Sequence, residues 1–245
     1  MRILVIGDSC QDIFIYGNIE RVCPEAPVPV FNPTHQTKNN GMAKNVVANL
    51  KALEVDVEII TNSNDIKKIR YVDNRSNQLV LRVDEHDYCD RVDKNTLTDL
   101  SKYDAIIVSD YHKGFLYEDD IKYICDTYDN VFLDVKKYLG TWVQNASFIK
   151  INEFEHKTNL EYWPDCSKLL KEKLIITRGG EGCEYMGNIF KTENVKIADV
   201  SGAGDTFLAG LTVEYMKTND IIKAIKFAQD CTKIVVQKHG VSTVA

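Results

Sequence analysis

The residues Asp199-Val200-Ser201-Gly202-Ala203-Gly204-Asp205-Thr206-Phe207 carry the densest chemistry in the sequence. Small side chains let the backbone turn sharply, and the pattern that follows predicts a helix over Gly204–Lys217. Successive free N–H groups at such a helix start make an anion cradle, and the positive end of the helix dipole adds to it. A carboxylate beside bound negative charge is costly unless it does chemistry. Accepting a proton from an attacking hydroxyl is work that suits Asp205. The same residues also fit a glycine-rich turn with Asp205 capping a helix. Taken alone, they leave both readings open.

Other polar residues gather just after short β-branched runs. Gly7, Asp8 and Asp12 follow Arg2–Ile6, and Asp110 to Gly114 follow Asp104–Ser109. Asp134 and Lys136 close Asn130–Asp134, Asn152 and Glu155 follow Ser147–Ile151, and Arg178-Gly179-Gly180 follow Leu174–Thr177. One strand-end Asp is more often a cap than a ligand. Several such ends on one edge of an open parallel sheet point to a site, because ligands bind beyond the carboxyl ends of the strands.

The elements that must position these residues follow from periodicity. The runs above, with Val55–Thr61, are strand candidates, and they alternate with helical patterns over Gly41–Leu53, Gly204–Lys217 and Asn219–Lys238. That alternation predicts an α/β fold with a mainly parallel sheet flanked by helices on both faces. Two segments depart from it. Ala26-Pro27-Val28-Pro29-Val30-Phe31 has proline at alternate positions and suits an edge strand. Lys67–Asp73 and Gln78–Asp84, joined by Asn74-Arg75-Ser76-Asn77, read as a hairpin. Together these predict a small antiparallel β sheet beside the main one.

Composition narrows the function classes. The 245 residues are 44% apolar and 27% charged, with a net charge of −6, which disfavours disorder and a general nucleic-acid binder. No apolar run is long enough to span a bilayer, and no signal-peptide pattern precedes Arg2–Ile6, so a cytoplasmic protein with no membrane partner is expected. Seven scattered cysteines without a C-x-x-C pair argue against a disulfide framework or a zinc site. There is no G-x-x-x-x-G-K-[ST] loop, no G-x-G-x-x-G after the first strand, and no H-R-D or D-F-G element.

Asp199–Phe207 resembles the D-x-[ST]-G-A-G-D-[TS]-F signature of the ribokinase (PfkB) family of sugar kinases, and the likeness extends over nearly the whole chain. Gly7-Asp8, Asp12, Arg21, Pro24–Val30, Ser109-Asp110-Tyr111-x-Lys113-Gly114 and the closing Val235–Val244 are similar to one branch. Its members phosphorylate the anomeric hydroxyl of D-glycero-β-D-manno-heptose 7-phosphate. The resemblance implies one kinase domain over 1–245, with lid strands from about 13–33 and 67–84 inserted in it. It also implies ATP and Mg²⁺ as cofactors, admits a monovalent cation, and suggests a homodimer through the β lid.

Residue by residue, the resemblance makes Asp205 the base, with backbone N–H groups of Gly202, Ala203 and Gly204 stabilising the phosphoryl group. Asn152 and Glu155 match an N-x-x-E motif associated with nucleotide phosphates and, indirectly, Mg²⁺. Lys150 resembles a lysine used on ATP, and Thr177, Gly179 and Gly182 match a nucleotide-contacting stretch. Asp12, Gly41 and Asn45 fall at sugar-binding positions. Arg70, Asp110 and Lys113 are candidate neighbours of the sugar or its phosphate, although Arg70 reads equally as an exposed strand residue in a surface ion pair. Tyr111 and His112 read as packing or loop residues.

The pattern also departs from the family. Met42 and Lys44 stand in Gly41-Met42-Ala43-Lys44-Asn45 where the family usually has Gly-Gly-Ala-x-Asn, and Met42 is expected to crowd the sugar. Gln229-Asp230-Cys231 replaces the residues that usually border adenine. Only Asn62–Ile66 separates Thr61 from the hairpin, too little for the strand–helix unit of relatives, so the main sheet is expected to lose an edge. Two rivals remain: another PfkB-type kinase of a hexose, hexose phosphate or nucleoside, and a weakened sugar-phosphate or nucleotide sensor. The nucleotidyl transfer that follows in the heptose route would need an H-x-G-H type motif, and none occurs.

Overall fold

Every residue of β1 (Arg2–Gly7) after Arg2 is buried, the mark of a strand covered on both faces. In the computed structural model, which describes residues 1–245, β1 lies inside an eight-stranded sheet. Its neighbours are β4 (Asp56–Thr61) and β7 (Ala105–Asp110), and beyond β7 come β8 (Val131–Val135), β9 (Phe148–Asn152) and β10 (Leu174–Thr177). These six strands run parallel. An antiparallel hairpin of β11 (Cys183–Tyr185) and β12 (Asn188–Phe190) completes the far edge.

Side chains alternate across this sheet. Ile3, Val5, Ala105, Ile107, Phe132 and Phe148 point to one face. There α1 (Ala43–Ala52), α5 (Ala203–Thr218) and α6 (Ile221–Val235) cover them. Leu4, Ile6, Ile106, Val108, Leu133 and Ile149 point to the other face, with Ile121 and Ile124 of α2 (Glu118–Thr127). The shorter α3 (Glu153–Tyr162) and α4 (Cys166–Leu169) follow β9. No helix is long and apolar enough to cross a membrane, and all seven cysteines are free thiols.

The second sheet has the order β3-β2-β5-β6. Its antiparallel pairs are β2 (Ser9–Val22) with β3 (Pro29–Met42) and β5 (Lys67–Asp73) with β6 (Leu79–Glu85); a parallel ladder between β2 and β5 joins the two. Edge strand β3 begins at Pro29, as the alternating prolines predict, but it continues to Met42. Pro33 sits beside an irregularity of its pairing with β2, where a missing N–H donor is tolerated. α1 consequently starts at Ala43 and not at Gly41.

β4 is the outer strand of the large sheet, as the short connection demands. Asn62 anchors that connection: its Oδ1 accepts from the Ser9 N–H at 2.7 Å, and its Nδ2 donates to the Asn64 carbonyl at 2.8 Å. The main chain therefore passes from β4 into β5 with no room for a crossover.

Met42, expected to crowd a sugar, is only 4% exposed and joins the apolar cluster that holds Cys10 and Ile66. Its φ of 59° and ψ of −133° lie where glycine is at ease and other residues are strained by about 1–3 kcal/mol. Met42→Ala loses the buried side chain and keeps the strain, costing about 2–5 kcal/mol. Met42→Gly loses the same side chain and relieves the strain. In urea unfolding, Met42→Gly should therefore be the more stable of the two by about 1–3 kcal/mol. The ordinary order, with alanine better, would show that the position is unstrained.

Candidate active site

Asp205 is the third residue of α5, and the helix is buried from Asp205 through Val213. The carboxyl is 3% exposed, so it needs donors from elsewhere. Asn45 of α1 donates from Nδ2 to Oδ2 at 2.9 Å, and Tyr111, just after β7, donates from its hydroxyl to Oδ1 at 2.7 Å. Burial pushes the carboxyl up to about 6, although the Asn45 and Tyr111 hydrogen bonds pull the other way. Nearby Asp134 adds to the rise and Lys150 opposes it. A carboxyl held near neutrality at a helix start is suited to take a proton from a hydroxyl.

The turn before Asp205 meets a lysine. A Cβ added to Gly204 would lie 2.6 Å from Lys150 Nζ, so glycine lets the ammonium approach the backbone closely. The first turn of α5 leaves the Gly204 and Asp205 N–H groups without intrahelical acceptors. The Ala203 N–H, expected to serve the cradle with those of Gly202 and Gly204, donates to the Val200 carbonyl at 3.2 Å and helps to close the turn.

Lys150 itself is 3% exposed and donates to Asp134 Oδ2 at 2.7 Å. Lys136 donates to Asp134 Oδ1 at 2.9 Å and reaches Glu155 Oε1 at 2.8 Å. Burial alone would raise the Asp134 carboxyl, but Lys136 and Lys150 outweigh it and bring it down to about 2. Asn152 and Glu155 form a reciprocal cap on α3. The Asn152 N–H donates to Glu155 Oε2 and the Glu155 N–H to Asn152 Oδ1, both at 2.8 Å. Lys150, Asn152 and Glu155, chosen from sequence, thus lie in one ionic chain that ends at the Gly204 turn. Asp134 and Lys136 complete it.

The Glu155 carboxylate is already engaged at both oxygens. No group of three or more His, Cys, Asp or Glu residues is spaced to hold a metal ion. A Mg²⁺ ion arriving with a nucleotide would therefore have to be held mainly by phosphate oxygens and water.

On the small sheet, Asp12 of β2 is buried and pairs with Arg70 of β5. Arg70 is therefore not an exposed strand residue in a surface pair but a largely buried partner of that carboxylate. A Cβ at Gly41 would lie 2.1 Å from Asp12 Oδ2, so that glycine makes room for the carboxylate. Asp110 is fully buried, with Lys137 Nζ at 2.6 and 2.5 Å from its two oxygens. Burial pushes its carboxyl up to about 6 against that pairing. Lys113 pairs with Asp87. The Asp110 and Lys113 side chains thus have protein partners of their own and make no hydrogen bond to Asp205.

A cavity beside the Gly202–Asp205 turn is lined by, among others, Thr177, Gly179, Gly182, Ala203, Gly204, Phe207, Gln229 and Val236. It joins the stretch expected to contact a nucleotide to the glycine turn at the start of α5. Gln229, noted as a departure from the family, donates from Nε2 to the Phe190 carbonyl at 2.6 Å and walls the cavity.

Sequence reasoning misplaced Tyr111. Its hydroxyl sits on Asp205, and its N–H donates to Asp8 Oδ2 at 2.6 Å, while Asp8 Oδ1 accepts from the Phe115 N–H at 3.3 Å. Asp8 shapes this loop because Gly7 pairs with Ser109 in neighbouring strands, a proximity fixed only by the sheet order.

The sequence pattern described as pfkB family carbohydrate kinase matches residues 54–245. Among curated proteins, the bifunctional protein HldE of Sulfurimonas denitrificans is 28% identical over 298 aligned positions, covering 100% of this chain and 62% of that protein. The chain therefore spans less than two thirds of that relative's length. The alignment is longer than the chain's 245 residues, so the relative carries segments that this chain lacks. Among solved structures, ribokinase from Thermotoga maritima matches with a TM-score of 0.72 and 15% identity, covering 98% of this chain and 94% of that one. Ribokinase of Arabidopsis thaliana, solved with ribose and ATP, matches with a TM-score of 0.70 and 13% identity over 97% and 93%. These likenesses establish the ribokinase-like fold.

The buried Asp205 carboxyl has a thermodynamic signature. Its folded value of about 6 lies above the ordinary 3.8, so the folded state binds the proton more tightly than the unfolded state. This carboxyl's stabilising contribution is complete below about pH 4 and declines until pH passes about 6. Asp205→Asn removes that dependence. Relative to wild type, the variant should gain about 2–3 kcal/mol of stability between pH 4 and pH 7 in urea unfolding. A difference that stays constant across this range would show that Asp205 titrates normally.

Proposed function

The chain belongs to the pfkB family of carbohydrate kinases, and from that premise we propose that it transfers the γ-phosphoryl group of ATP to a sugar phosphate, with heptose 7-phosphate, at its anomeric hydroxyl, the favoured acceptor. The observation that carries the proposal is the placement of Asp205: a buried carboxyl held near neutrality at the end of a glycine turn that Lys150 approaches. The heptose assignment is supported by the HldE relative and by the Pro24–Val30 stretch.

In this reading the triphosphate extends from the Thr177–Gly182 side of the cavity towards the Gly202–Asp205 turn. The sugar hydroxyl gives its proton to Asp205 as its oxygen bonds to the γ-phosphorus, and the bond from that phosphorus to the bridging oxygen of ADP breaks. The Gly202 and Gly204 N–H groups and the start of α5 stabilise charge on the transferring group. Lys150 is steered towards the same place by Asp134. A nucleotide-bound Mg²⁺ would supply charge neutralisation, and Glu155 would meet it through water.

Asp12 and Asn45 would orient the sugar, with the small sheet acting as a lid that excludes water. That sheet and its β2–β3 connection leave Val22, Val28, Leu79 and Leu81 at least half exposed. A homodimer formed through the lid would cover such side chains.

The test is ADP release by the purified chain with ATP and either heptose 7-phosphate or fructose 6-phosphate. Turnover should be at least about tenfold faster with the heptose, and Asp205→Asn should lower it by about 10²–10⁴-fold. A variant as active as wild type would remove Asp205 from the chemistry. ATP binding without turnover of any sugar would favour the sensor.

A further inference from the structure

Tyr111 is more tightly constrained than a packing residue needs to be. Its backbone is fixed by Asp8, and its hydroxyl donates to the oxygen of Asp205 that Asn45 leaves free. Two ammonium groups lie against its ring, with Lys136 Nζ 5.5 Å and Lys68 Nζ 5.7 Å from the centroid. Lys136 is held by Asp134 and Glu155. Lys68 comes from β5 of the small sheet, and no acidic side chain lies within ion-pairing distance of it, although most other charged groups near it are paired. A phenylalanine would fill this space as well, but it would leave Asp205 Oδ1 without its buried donor.

We propose that Tyr111 is a positioning residue for the base: its phenol fixes the plane of the Asp205 carboxylate and favours the ionised form, and its ring carries contact with the lid through Lys68. A carboxylate has about four lone-pair sites, so donors from Asn45 and Tyr111 still leave room for a substrate hydroxyl. The two donors lie on opposite oxygens, which defines the carboxylate plane before any sugar arrives. Cations against the ring are attracted to its face and hold the phenol in place. One of the two belongs to the lid, so the base can sense where the lid stands.

The pH behaviour isolates the phenol. Asp205 is faced by Asn45 from α1, Tyr111 from the loop after β7, Asp134 from β8, Lys150 from β9 and Cys10 from β2. Lys68 and Lys136 stand beyond Tyr111. Tyr111→Phe leaves all the others in place and keeps the ring. Because the phenol's hydrogen bond favours the charged carboxylate, its loss should raise the value at which Asp205 titrates.

The experiment follows the ¹³C-labelled carboxyl of Asp205 by NMR, assigned by its disappearance in Asp205→Asn, alongside the pH profile of kcat. With Tyr111→Phe, the titration and the acid limb of kcat should both move up by about one pH unit. kcat near pH 6 should fall by about fivefold, with KM for ATP within about twofold of wild type. Replacing Tyr111 by 3-fluorotyrosine, a stronger donor of the same shape, should move both in the opposite direction. An unchanged titration in both variants would overturn the proposal and leave Tyr111 a packing residue. The kinetic arm rests on the kinase reading, but the titration does not. A wild-type chain that turns over no sugar would therefore count against that reading alone, while the NMR shift still decides the role of Tyr111.

Discussion

The constraint on which the rest depends is the burial of carboxylates at the carboxyl ends of the strands. Asp8, Asp110, Asp134 and Asp205 are all nearly or wholly out of water, and a buried carboxylate is tolerable only with donors or cations around it. Each one therefore dictates its neighbours. Asp8 gathers the N–H groups of the loop after β7, Asp110 takes Lys137, and Asp134 takes Lys136 and Lys150. Asp205 takes Asn45 and Tyr111. Satisfying these four groups fixes the loops that form the site, and the parallel sheet supplies the rigid edge on which they meet.

The same requirement ties the small sheet to the large one. β2 follows β1 after Asp8, β3 runs directly into α1, and the short connection after β4 leads straight into β5. With no crossover beyond β4, the Asn62 hydrogen bonds to Ser9 and Asn64 hold the junction. Asn45, Asp12 and Lys68 are thus delivered to one region by segments that enter or leave the large sheet. Asp12 and Lys68 sit on the small sheet and Asn45 on a helix of the large one, so the region between them is set by how the two sheets are joined.

Much of this was legible in the sequence where the signal is local. Arg2–Ile6 and Leu174–Thr177 read as buried strands because apolar β-branched runs of that length have few other uses. The helix after Gly204 was legible from its turn chemistry, and Asn152 and Glu155 came from a motif whose spacing is itself a capping box. β3 was seen only as far as Phe31, because Thr34–Asn40 are polar and largely exposed and show no alternation. α2 and α3, not assigned from the sequence, lack a long apolar stripe. Tyr111 and the Lys137–Asp110 pair were not legible because their partners are set by which strands lie side by side, and no local pattern encodes that order.

The acidic balance of the chain bears on how anions are held. Lys136, Lys137 and Lys150, the lysines nearest the strand ends, are all committed to carboxylates, so together with their partners they contribute little net positive charge. A phosphoryl group at the Gly202–Asp205 turn would then meet oriented N–H dipoles and an ammonium already fixed in direction. Stabilisation of that kind costs little reorganisation when charge develops, because the donors are in place before the ligand arrives. Lys150 shows how: Asp134 holds the ammonium, and the missing side chain at Gly204 lets it reach the backbone at the start of the helix. A net charge of −6 is compatible with anion binding on these terms, because the attraction is local and directional and does not depend on the field of the whole molecule.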